Sequence, residues 1–113
     1  MLKTFADLDA WKLAINLTKD IYSLTKSFPK EELFVLTSQM RRAVISISSN
    51  IAESYHRFHT KEKNQFLSIA FGSGSELESQ IEVSKVLFPG RNYEKAETLL
   101  VEIMKILNNF LSK

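Results

Sequence analysis

Between positions 36 and 54 the chain reads LTSQMRRAVISISSNIAES, and on helical spacing this run sets Arg41, Arg42, Ser46, Ser48, Ser49, Asn50 and Glu53 among its apolar residues. A helix that only fills a core has little use for so many hydrogen-bonding groups, because each buried one needs a partner. They either pack against something polar or bind something. Five cations, Arg41, Arg42, Arg57, Lys61 and Lys63, fall between positions 41 and 63 against two carboxylates, Glu53 and Glu62, and both histidines, His56 and His59, lie in the same stretch. No other part of the chain concentrates positive charge in this way. These five are therefore the candidate nucleic-acid-binding residues, with backbone phosphate as the ligand. Arg41 and Arg42 carry a second reading. Neighbours on a helix point about 100° apart, so the two cannot face one way: one pairs with Glu53, Glu76 or Glu78 while the other meets solvent.

Other chemistries find less support. Glu53-x-x-His56 is the spacing by which one helix gives two ligands to a carboxylate-bridged metal pair, but such a site needs a second Glu-x-x-His and two further inward glutamates. His59 has no Glu three residues before it, so no metal and no cofactor are expected. Gly72-Ser73-Gly74-Ser75 has the wrong order for a Gly-x-Ser-x-Gly nucleophile elbow. The three glycines also lack the Gly-Lys-Ser/Thr ending of a phosphate-cradling loop. No catalytic residue is expected, and the chain does not read as an enzyme. The polar run 46–50 reads as structural, its side chains satisfying one another, with Asn50 bonding across to Ser73 or to backbone near Gly72. Trp11 and Tyr22, at helical spacing, read as core rather than as a base-stacking platform.

Composition narrows the class. With 113 residues, 44% hydrophobic and 25% charged, the chain is of single-domain size and ordinary globular balance. A net charge of +2 is too small to argue for nucleic acid unaided. The absence of cysteine removes disulfides, thiolate metal sites and cysteine nucleophiles. The opening MLKTFADLDAW has no apolar core of a secretory signal, and no run approaches the ~18 apolar residues of a membrane span. A cytoplasmic protein without membrane contact is expected.

Four stretches must position these groups. The first runs from about 7 to 27, with Leu8, Trp11, Ile15, Thr18 and Tyr22 as its seam, Ala14, Ile21 and Phe28 widening it, and Thr4 or Asp7 as its cap. Pro29 ends it. Residues 29–35 form a connection that can begin a short turn at Glu31 and Glu32. The second helix, about 36–57, carries Leu36, Met40, Ala43, Ile47, Asn50 and Ser54 on its seam, flanked by Val44, Ile51 and Tyr55. The third starts at a Thr60 cap and runs to about 86 through Phe66, Ala70, Ser73, Leu77, Ile81 and Ser84. Gly72 and Gly74 each cost it roughly 1 kcal/mol relative to Ala, yet strong periodicity on both sides predicts a continuous helix. Small residues there let another backbone approach, and the serine-rich part of the second helix is the expected neighbour. Asn92 caps a last helix bearing Ala96, Leu100, Ile103, Leu107 and Phe110, which frays near Asn108 and Asn109. Four helices joined by short loops predict an all-α, antiparallel up-down-up-down four-helix bundle over residues 1–113. Leu13, Leu17, Leu24, Ile45, Val101 and Ile106 are left off these seams, and apolar flanks on several helices predict self-association.

A set of motifs taken in order carries a family resemblance: Phe5-x-x-Leu8-x-x-Trp11, Phe28-Pro29-Lys30-Glu31-Glu32, Leu36-Thr37-Ser38-Gln39-Met40-Arg41-Arg42-Ala43, Ser46-Ile47, Ser49-Asn50-Ile51-Ala52-Glu53, Phe66-Leu67-x-Ile69-Ala70-x-Gly72-Ser73, then Glu76-Leu77-Glu78 and Gln80. The chain resembles the four-helix-bundle proteins encoded in intervening sequences of bacterial 23S ribosomal RNA genes, a family related to the accessory variability proteins of diversity-generating retroelements. Ser54 stands where that family usually has Gly, Ser48 where it has Pro, and Val35 where Gly is common. The first change leaves the end of the second helix open. The resemblance implies an all-α bundle assembling into a homo-oligomeric ring, often a pentamer. For the retroelement members it implies a basic surface that binds nucleic acid and a reverse transcriptase.

Two function classes follow. In the first, an oligomeric accessory protein binds structured RNA, or RNA–DNA intermediates, through backbone phosphates with little sequence specificity. In the second, the oligomer is a scaffold for a protein partner, and its basic residues are ordinary surface.

Overall fold

A computed structural model describes residues 8–112 of the chain. Within them are four α-helices and no strand: α1 Asp9–Lys26, α2 Ser38–Tyr55, α3 Thr60–Leu87 and α4 Glu94–Leu111. At 1.5 Å per residue the 28 residues of α3 span about 42 Å, which matches the 43 Å long axis of a body 21 Å across. α1 packs on α2, α2 on α3, α3 on α4 and α4 back on α1. This compact helical bundle therefore sets its α1–α2 side opposite its α3–α4 side. Ser84 on α3 donates to Met40 Sδ at 3.4 Å, and Ser46 on α2 bonds Ser73 at 2.7 Å. Residues later in α2 thus sit beside residues earlier in α3. Among the described residues no helix is long and apolar enough to cross a membrane.

The expected caps at Thr4 and Asp7 lie outside the described residues. α1 begins behind Leu8, which makes no side-chain cap bond. Its buried line is Ala10, Ala14, Leu17, Ile21 and Leu24, continued by Phe28. The predicted seam through Leu8, Trp11, Ile15, Thr18 and Tyr22 lies to one side of it. Leu8 and Trp11 pack at the core's edge, Tyr22 is exposed, and Leu17 and Leu24 are core. The reason is the width of the apolar arc on α1, which has no unique centre that spacing alone can find.

The connection after Pro29 is more helical than predicted. A 3₁₀ turn, Lys30–Glu32, leads into a π-helical turn, Leu33–Thr37, and that turn runs straight into α2. α2 buries Met40, Ala43, Val44, Ile47 and Ile51. Ser48 and Ser54 are buried with them. Their hydroxyls donate to the carbonyls of Ile45 (3.1 Å) and Ile51 (2.6 Å), so each is satisfied within its own helix. α2 ends at Tyr55, before the expected Arg57, so the serine at position 54 does not prolong it.

α3 passes Gly72 and Gly74 unbroken, as the periodicity predicts. The two glycines differ in use. Gly72 faces open space, whereas a Cβ on Gly74 would collide with Met104 Sδ of α4. The missing side chain at 74 therefore leaves room for the Met104 side chain of α4, and the serine-rich part of α2 meets Ser73 instead. Thr60 is the first residue of α3 rather than its cap, with His59 extended before it. The N-cap of α4 is Tyr93 rather than the expected Asn92, and Asn92 Oδ1 accepts from the Glu94 N–H at 3.0 Å from one position further out. Tyr93 is buried, its hydroxyl 3.1 Å from the Ser84 carbonyl and 2.7 Å from that of Phe88, and burial raises its phenol pKa. Ala96, Leu100, Ile103 and Leu107 form the core line of α4, while Phe110, predicted to join them, is half exposed. Asn108 and Asn109 stay within the helix.

Candidate nucleic-acid interface

The five predicted cations do not form one patch. Arg41 lies in the first turn of α2 and Arg57 just beyond its last. Sixteen residues of helical rise put about 24 Å between them along the helix.

Arg41 is turned onto α1. Its Nε donates to Thr25 Oγ1 at 2.9 Å, a terminal N–H reaches the Tyr22 carbonyl at 3.4 Å, and the guanidinium lies 4.5 Å from the Tyr22 ring centroid. The buried Thr25 hydroxyl in turn donates to the Ile21 carbonyl at 2.7 Å. The predicted carboxylate partner is absent: neither Arg41 nor Arg42 forms an ion pair among the described residues. Arg41 instead meets the last turn of α1, whose carbonyls bear the negative end of the helix dipole. It is the structural member of the pair, and Arg42 is exposed. Both border an open hollow of about 510 Å³ between α1, the π-helical turn and α2. Its rim is apolar and aromatic: Tyr22, Leu33, Ile45 and Phe34, the last 89% exposed.

At the other end, Arg57 is spoken for. It pairs with Glu53 at 2.6 Å and lies 4.7 Å from the Phe66 ring centroid. Its Nε is buried without a partner, which costs part of what the pair contributes. Lys61 is exposed and Lys63 half-buried, both in the first turns of α3, and neither has an ion-pair partner among the described residues. No side chain caps α3, so its first N–H groups add partial positive charge at this corner, opposed by Glu62. Phe58 beside them is 96% exposed. Lys63 also lines a largely apolar groove of about 600 Å³, together with Ala10, Ile51, Leu67, Leu107 and Phe110.

The polar run of α2 makes its cross-helix bond through a different residue than predicted. Asn50 Nδ2 donates to the Ser46 carbonyl (2.8 Å) and hydroxyl (3.1 Å), and Ser46 carries the bond to Ser73. Asn50 thus orients Ser46 from one turn away. Glu53, from the Glu-x-x-His spacing, is held by Arg57. Among the described residues no three His, Asp or Glu side chains gather as a metal set.

Three features escaped the spacing. Leu33, Phe34 and Val35 are exposed together on the π-helical turn; their signal was an apolar triplet inside a connection. Phe58 stands in the corner beside the lysines. Arg91 ties two corners of the bundle, donating to Ser27 Oγ (3.0 Å) and to the Ser27 carbonyl (2.8 Å) while facing the rings of Phe28 and Phe88.

No curated protein matches this chain. A family model described as 23S rRNA-intervening sequence protein matches residues 6–110, which is nearly the whole sequence, and the chain belongs to that family.

Proposed function

We propose that this member of the 23S rRNA-intervening sequence protein family is a non-enzymatic, cytoplasmic accessory protein. In this reading it is a single up-down-up-down antiparallel domain that self-associates, a pentameric ring by family resemblance. It holds structured RNA, or RNA–DNA intermediates, by their backbone phosphates at the α2–α3 corner. The observation that carries this reading is the pair Lys61 and Lys63. They are cations without a carboxylate partner, at a helix start that favours anions, beside an exposed Phe58. Arg57 supports the corner but is largely neutralised by Glu53. Two lysines are a modest site, and repetition around an oligomer multiplies them. No element offers base-edge readout, so the binding is of low sequence specificity.

The test is binding of structured RNA and duplex DNA across a salt series, with oligomeric mass recorded. Affinity falling steeply with salt, and largely lost in Lys61→Ala/Lys63→Ala, is the expected outcome. A folded oligomer with no binding even at low salt would overturn it. A second reading, a scaffold docking a protein partner such as the reverse transcriptase that the resemblance implies for retroelement members, is favoured by the apolar groove beside Lys63. A partner bound without nucleic acid, and lost on Leu67→Asp, would select it.

A further inference from the structure

The hollow at the start of α2 and the face across the bundle from it are opposite in charge. Arg41 and Arg42 border the hollow with no carboxylate among its lining residues. Across the molecule, a groove of about 150 Å³ between α3 and α4 is lined by Glu78, Glu82 and Glu97, with Val101 at its edge. Lys85 bridges Glu82 (3.5 Å) and Glu97 (2.9 Å). Three carboxylates and one Lys leave two negative charges, facing the two positive charges of the hollow. Glu78 has no cation partner among the described residues.

Both faces also carry apolar groups that the bundle leaves uncovered. Phe34 and Ile45 rim the hollow, and Val86 and Val101 lie on the acidic side, Val86 one helical turn beyond Glu82 and 80% exposed. Phe34 shares the hollow with the exposed Arg42, and aromatic and arginine side chains are enriched at protein interfaces. The two faces stand at the same height as well. Met40 meets Ser84. Arg42 is two residues past Met40, and Glu82 is two residues before Ser84 on the helix that runs the other way alongside it.

We propose that the Arg42–Phe34 hollow of one copy receives the Glu78–Glu82–Val101 face of the next. The proposal rests on the reading of this chain as a self-associating protein and names the two surfaces that do it. The contact is heterologous, joining two different patches. Repeated head to tail, such a contact forms a ring where the rotation between neighbours divides a full circle and an open row where it does not. Arg42 pairs with Glu78 across the contact, and Phe34 packs on Val86 and Val101. Arg42 is then a subunit contact, which leaves the lysine corner as the part of the basic stretch facing nucleic acid.

The test is the oligomeric mass of the full chain by light scattering and sedimentation, for the wild type, Arg42→Glu, Glu78→Arg and the double exchange Arg42→Glu/Glu78→Arg. Both positions are exposed, and circular dichroism confirms that each variant is folded. Each single exchange sets like charges together and is expected to weaken association by roughly tenfold or more at low salt, and the double exchange restores it. Phe34→Ser is expected to weaken association without dependence on salt. An oligomer whose mass is indifferent to both single exchanges, or a double exchange that stays dissociated, would overturn the proposal while leaving self-association standing. Unchanged mass with lost RNA binding in Arg42→Glu would make the hollow a nucleic-acid site and overturn it likewise. A monomeric wild type would overturn the proposal and the self-association reading together.

Discussion

Arg41 and Arg57 stand at opposite ends of α2, and each lies over an aromatic ring of a neighbouring helix. Their polar partners differ. Arg41 bonds a buried hydroxyl and a backbone carbonyl, whereas Arg57, just past the end of α2, bonds a carboxylate in the last turn of that helix. Neutral partners anchor a guanidinium without cancelling its charge, so the Arg41 end stays positive although Arg41 is fixed in place. A carboxylate cancels the charge, so the Arg57 end is positive only through Lys61 and Lys63. The sign of a local run of sequence therefore says little about where charge is available. What decides it is which of the side chains find carboxylates.

Breaking the Arg41 anchor should have the largest effect on stability. Arg41→Ala removes a hydrogen bond to a buried hydroxyl, a long one to the Tyr22 carbonyl and a cation–π contact, and is expected to cost about 1–2 kcal/mol in chemical denaturation. Thr25→Val, which keeps the shape and deletes the acceptor, should cost about 1–2 kcal/mol and add little on top of Arg41→Ala, since the two act through one bond. A fully additive double variant would mean that Arg41 is held by something other than Thr25. Arg57→Ala should cost less, about 0.5–1 kcal/mol, because an exposed i,i+4 pair is weak and its buried Nε offsets part of the ring contact. Denaturation showing Arg57 to be the costlier loss would reverse the comparison. The smallest change is Glu53→Gln. It releases Arg57 as a free cation, so RNA affinity should rise at low salt, with the salt slope steepening by about 0.7–0.9 per subunit. An unchanged slope would show that Arg57 does not face the ligand.

The helices, the unbroken passage of α3 through Gly72 and Gly74, and the core lines of α2 and α4 could be read from apolar spacing. The phase of α1 could not, because Leu13, Leu17, Leu24 and the predicted seam together cover a wide arc. The exposed triplet 33–35 was hidden for a related reason: a π-helical turn takes more than four residues per turn, so side chains before it fall out of step with the stripe after it. Asn50 and Ser46 are one turn apart on the same helix, so spacing placed both near Ser73 without telling which hydroxyl or amide reaches it. The five cations were visible as residues. Their division was not, because it depends on Thr25, Tyr22 and Glu53, and two of those lie on another helix.

The most direct test of this division is the salt dependence of RNA affinity in Lys61→Ala/Lys63→Ala compared with Arg41→Gln, at matched oligomeric mass. If phosphate contact belongs to the α2–α3 corner, the lysine pair lowers the slope by about 1.4–1.8 per bound subunit, and Arg41→Gln leaves it unchanged. An equal loss from Arg41→Gln, or an unaltered slope without the two lysines, would contradict it.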